Sequence, residues 1–165
     1  SLFIYGITMQ KSLLLFPLLF AFSTATYAGD ELLFECVSDK NTHLRLAANQ
    51  HQNGEITFDF KQANISQQSE MTFSSSLDEA YLYQYLNGTQ LLVPHNNRWY
   101  IFEESDATTG ITYVELHIRS QQTGKLVEQH ECEENIVSHI TEINPEIVRP
   151  IPDELFEWLV DATSH

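Results

Sequence analysis

The chain has 165 residues, with 23 acidic against eight basic side chains and a formal net charge of −15. Every acid lies after residue 28, where seven bases remain, so residues 29–165 carry a net charge of −16. That balance argues against nucleic acid or an anionic membrane surface as partner, since both are held through Lys and Arg. It favours a basic protein or a calcium-type cation, with plain solvation as the competing reading.

The first element in chain order is an export signal. Met9-Gln10-Lys11 supplies a positive start, Ser12–Phe22 an apolar run of about 11 residues, and Ser23–Ala28 the small residues of a cleavage site. The run is shorter than the roughly 20 apolar residues of a membrane span. Cleavage is expected after Ala28, with residues 1–8 as an upstream extension, and no membrane anchor is expected afterwards. The expected location is periplasmic or secreted. The remaining residues 29–165 read as a single domain, with a β unit over 31–132 and a helical tail over 133–165.

Nine short β runs follow. They begin at Leu32–Phe34, His43–Leu46, Glu55–Phe60, Glu70–Phe73, Tyr81–Tyr85, Gln90–Val93, Trp99–Phe102, Ile111–Arg119 and Lys125–Cys132. Period-2 alternation is clear in Ile56/Phe58/Phe60 and in Val114/Leu116/Ile118, which places each set on one strand face. Asn53-Gly54 and Asn87-Gly88 predict type I′ hairpin turns, and Pro94–Asn97 and Gln121–Gly124 can also reverse the chain. The fold class is therefore mainly β, an antiparallel meander or small barrel of eight to nine strands with a C-terminal helical tail. Cys36 and Cys132 lie in the first and last runs, 96 residues apart, and in an oxidising compartment they are expected to pair.

After Cys132 the period changes. Ile136, Ile140 and Ile143 share a helical face, ended by Asn144-Pro145. A last helix capped by Asp153 would bury Leu155, Trp158, Leu159 and Ala162. The tail is expected to pack on an end or flank of the β unit, with docking on a partner as the alternative.

Catalytic chemistry finds little support. There is no Gly-x-Ser-x-Gly, both cysteines are committed to a disulfide, and paired acids such as Glu103-Glu104 and Glu133-Glu134 are common in so acidic a chain. His130-Glu131-Cys132, with His117 on the neighbouring run, is the nearest approach to a metal cluster. It lacks the spacing of established zinc motifs, so no metal, cofactor or catalytic residue is assigned and the protein is not read as an enzyme. The more suggestive feature is a strand face carrying Tyr113, Glu115, His117 and Arg119. Such a row suits a binding strip, and equally an ordinary solvent-facing strand.

Thr109-Gly110-Ile111-Thr112-Tyr113 resembles the Ser-Gly-x-x-Tyr motif of the periplasmic inhibitors of C-type lysozyme, with threonine in place of serine. The family's Tyr-x-x-Thr-Lys-Gly type segment is missing and this chain is longer. The resemblance implies a small disulfide-bonded β-barrel that enters an enzyme's cleft. As a class, the same features are similar to periplasmic immunity proteins. The expected function is occlusion of a basic cell-wall hydrolase or toxin by Gly110, Tyr113, Glu115 and Arg119, with Glu103 and Glu104 in an acidic loop beside them. The alternative is a small apolar-ligand carrier, its cavity lined by Tyr81, Tyr83, Tyr85, Trp99, Tyr100 and Phe102.

Overall fold

A computed structural model describes residues 30–164. The export signal expected over Met9–Ala28 lies outside the described residues. Among those described, no helix is long and apolar enough to cross a membrane.

Nine antiparallel strands form one sheet: β1 (Asp30–Ser38), β2 (Thr42–Gln50), β3 (Ile56–Asn64), β4 (Ser69–Ser76), β5 (Tyr81–Tyr85), β6 (Gly88–His95), β7 (Arg98–Asp106), β8 (Thr112–Ser120) and β9 (Leu126–Ser138). Each of the nine runs read from the sequence is a strand. Their spatial order is β4-β3-β2-β1-β9-β8-β7-β6-β5. The sheet is thus two runs of hairpins, β1–β4 and β5–β9, joined where the first strand pairs with the last. It curls into a half-barrel that brings the aromatic inner faces of the two halves together. Phe60 on β3 meets Tyr100 and Phe102 on β7 at ring-centroid distances of 5.4 and 5.5 Å. Phe34 meets Phe102 at 5.1 Å and Phe73 meets Tyr100 at 4.8 Å.

The β1–β9 seam is irregular, with register shifts on either side of Val37. Cys36 and Cys132 are bonded across it, with their Cα atoms 5.6 Å apart. Beside the bridge, His130 is 1% exposed and points inward. Its Nδ1 lies 2.9 Å from Ser38 Oγ and its Nε2 lies 2.7 Å from Glu128 Oε1, so both ring nitrogens of this buried imidazole have partners.

Turn chemistry departs from the sequence reading at both Asn-Gly pairs. The strands around Asn87-Gly88 turn one residue earlier: Tyr85 pairs with Gly88, and the two-residue loop is Leu86-Asn87, neither with positive φ. Gly88 is required for another reason, since a Cβ there would lie 2.5 Å from Tyr85 Oη and 2.7 Å from the Glu104 carbonyl oxygen. Around Asn53-Gly54 the loop is longer, between the pair Gln50 and Ile56, and only Gly54 of the two has positive φ. The two-residue turn with positive φ at both positions is Asn96-Asn97, at 49° and 63°, between the pair His95 and Arg98.

The first tail helix is not formed. Chain through Ser138 stays in β9, because Val137 and Ser138 pair with Glu35 and Phe34 on β1. That ladder outweighs a weak helical periodicity. Ile140, within a single 3₁₀ turn, and Ile143 and Val148 instead bury against the core and close one end of the half-barrel. Arg149–Ile151 then runs beside β5. The Leu82 N–H donates to the Arg149 carbonyl oxygen at 2.9 Å and the Ile151 N–H to the Leu82 carbonyl oxygen at 3.0 Å, which covers the strand's open edge.

The last helix is present as α1 (Asp153–Thr163). Pro152, not Asp153, takes the cap position, and Asp153 and Glu154 sit in the first turn, where acids favour the helix dipole. Leu155, Trp158 and Leu159 pack with Ile151 on the outer face of β5–β7, against Tyr81, Tyr83, Leu92, Trp99 and Ile101. Ala162 meets the β8–β9 turn, where a Cβ on Gly124 would lie 2.8 Å from the Ala162 Cβ and 3.4 Å from the Trp158 ring. Gly124 also has φ of 70°. Gly124→Val is therefore expected to lift α1 from the sheet and destabilise the protein by about 2 kcal/mol. Urea denaturation followed by Trp fluorescence measures it. A loss under about 0.5 kcal/mol would mean that the helix contributes no docking energy.

Candidate functional site

Two surfaces stand out, and β8 contributes to both. The first is the sheet end formed by the β7–β8 and β5–β6 hairpins. Between β7 and β8 the chain turns through residues 107–111. The Gly110 N–H donates to the Ala107 carbonyl oxygen at 2.9 Å, and the Ala107 N–H to the Ile111 carbonyl oxygen at 2.8 Å. Gly110 has φ of 81°, a left-handed backbone that glycine adopts without strain. Thr112 Oγ1 donates to Asp106 Oδ1 at 2.7 Å and closes the mouth of the hairpin.

This turn leaves apolar side chains in solvent. Ile111 is 53% exposed and Tyr113 46%. The β5–β6 turn lies alongside, since the Asp106 N–H donates to the Asn87 carbonyl oxygen at 2.7 Å, and its Leu86 is 98% exposed. Leu86, Ile111 and Tyr113 thus share one end of the sheet. Leu86 was not singled out in the sequence. Its signal was a bulky apolar residue inside a turn where polar residues are the rule.

The second surface is the outer face of β6–β9 beside α1. Val114, Leu116 and Ile118 point into the core, so Tyr113, Glu115, His117 and Arg119 point outward, as their alternation requires. The four lie in line along one face of β8. Tyr113 belongs to the hairpin end, whereas His117 and Arg119 line a groove of about 230 Å³ between the sheet and α1. Arg119 Nη1 donates to the Gly124 carbonyl oxygen at 3.0 Å, and burial lowers its pKa from the ordinary guanidinium value.

Glu103 and Glu104 lie within β7, so the acidic loop expected over Glu103–Asp106 is a strand. As neighbours in a strand they point to opposite faces. Glu103 faces the groove, and its Oε2 accepts from Gln90 Nε2. Glu104 lies on the inner side, and its Oε2 accepts from Ser138 Oγ at 2.6 Å. Burial, and then the neighbouring Glu103, raises the pKa of the Tyr85 phenol above its usual value.

The histidine cluster weighed in the sequence is dispersed. His130 is in the core, Cys132 is in the disulfide and His117 is on the opposite face of the sheet. The aromatics proposed to line a cavity divide as well. Tyr81, Tyr83 and Trp99 lie under α1, whereas Tyr100 and Phe102 pack in the core. No family model, curated protein or solved structure matches the chain.

Proposed function

We propose that the protein is an exported binding protein that occludes a basic cell-wall hydrolase or toxin, using the hairpin end built around Gly110 and Tyr113. The observation that carries this reading is the exposure of Leu86, Ile111 and Tyr113 at one end of the sheet in a strongly acidic domain. Exposed aromatic and aliphatic anchors of this kind fill a partner's pocket, while surrounding charge speeds encounter. The disulfide fits an oxidising compartment. The mutual packing of Phe34, Phe60, Phe73, Tyr100 and Phe102 speaks for an interaction surface over an apolar-ligand carrier. The mechanism is steric: the hairpin enters the cleft and substrate is shut out.

The test is inhibition of peptidoglycan lysis by a panel of basic hydrolases, beginning with a C-type lysozyme. The wild type is expected to inhibit at least one member. Tyr113→Ala should weaken that inhibition by about thirtyfold, roughly 2 kcal/mol. Glu115, two residues from Tyr113 on the same face, and Glu103, paired with it, are rim charges whose reversal should mainly slow association. Inhibition that survives both Tyr113→Ala and Leu86→Ala, or that is absent across the panel, would refute the reading.

A further inference from the structure

Across β6–β9, Gln90, Glu103, Glu115 and Glu131 form one row, each paired with the next. Glu103 and Glu115 are thus directly opposed carboxylates on neighbouring strands, a placement that repels. His117, two residues beyond Glu115, shares its face, and its Nε2 lies 2.7 Å from Glu115 Oε2. One imidazole nitrogen and two carboxylate oxygens, from His117, Glu115 and Glu103, lie within 4.8 Å of one another. Both Glu115 and His117 keep only about a fifth of their side-chain surface exposed, at 18% and 20%.

Two of the three donors also face a groove. Glu103, His117 and Gln90 line the groove of about 230 Å³ beneath α1, walled by Tyr83, Phe156 and Leu159. The groove is open to solvent and offers an entry path, with room for water on the open side of a bound ion. Gln90 Nε2 already holds Glu103 from outside the set, the kind of support that orients a ligating carboxylate. Arg119 lines the same groove, but its guanidinium is turned to the Gly124 carbonyl oxygen.

We propose that Glu103, Glu115 and His117 bind one divalent transition-metal ion, with zinc the best match to the donor set. Two carboxylates balance the charge of the ion. The imidazole favours zinc-like ions over calcium or magnesium, which prefer all-oxygen shells. The ion replaces the hydrogen bond between His117 and Glu115, relieves the repulsion between Glu103 and Glu115, and ties β7 to β8. Three protein ligands leave a coordination position facing the groove. This site is separate from the hairpin end, so its test is independent of the occlusion reading.

The experiment titrates the full chain, freed of metal by chelator, with zinc chloride in a calorimeter near neutral pH. Cobalt chloride followed by visible absorption reports the coordination geometry. One equivalent is expected to bind. His117→Ala and Glu103→Gln should each weaken binding at least about tenfold, while His51→Ala, at an exposed position elsewhere, should not. Glu103→Gln keeps the side chain's shape and so serves if His117→Ala fails to fold. Absence of binding in the wild type, or affinity unchanged by Glu103→Gln and by a folded His117→Ala, overturns the proposal.

Discussion

Replacing Cys36 and Cys132 together with alanine is expected to lower the unfolding free energy by about 4.7 kcal/mol, as the chain-entropy argument gives for a loop of this length. The bond spans 96 residues and closes them into one loop that runs from β1 to β9, so its loss enlarges the unfolded ensemble greatly. The native state loses something too. The β1–β9 seam is the one junction between the β1–β4 and β5–β9 halves at which strands distant in sequence pair, and register shifts interrupt its ladder. Without the bond, the two halves are held by that broken ladder and by aromatic packing. Urea denaturation of the wild type with and without reductant, and of the double variant, measures the difference. A loss below about 1 kcal/mol would show that the bridge adds little to a seam already secure.

Phe60→Ala is expected to cost about 4 kcal/mol. Phe60 is 2% exposed and sits where the two halves of the sheet face each other. Its ring touches Phe73 beside it on β4 at a centroid distance of 5.2 Å, and Tyr100 and Phe102 across the core. Truncation removes a large apolar surface from the core and several tilted ring contacts, and leaves a cavity that rigid strands on both sides cannot close. Phe60→Leu, which fills most of the volume, should cost markedly less. Equal costs for the two, measured by urea denaturation, would show that the site collapses around the smaller side chain and that the rings do not brace the two halves.

The same residues show how far a sequence reading reaches. Alternation in Ile56/Phe58/Phe60 and Val114/Leu116/Ile118 is a local property with period 2, so strands and their inward faces follow from it directly. Leu155, Trp158 and Leu159 mark the apolar face of α1 for the same reason, with period 3.6. Pairing of Cys36 with Cys132 follows from composition and compartment, because two cysteines allow one bridge.

The sequence by itself determined these local matters: nine strands, which residues face inward, a terminal amphipathic helix and a single disulfide. Tertiary structure decided everything that depends on which strands lie side by side. Ile136 and Val137 read as helix until β1 is placed beside them, and then the backbone ladder wins. Asn87-Gly88 reads as a type I′ turn until the β5–β6 register puts Gly88 under the Tyr85 ring, where only a missing Cβ fits. Leu86 joins Ile111 and Tyr113 only because two hairpins end together, and Glu103 meets Glu115 and His117 only through the β7–β8 register. Period 2 tells which face a side chain takes. Register, set by pairing energies summed over whole strands, tells which other side chains it meets, and no local pattern contains that sum.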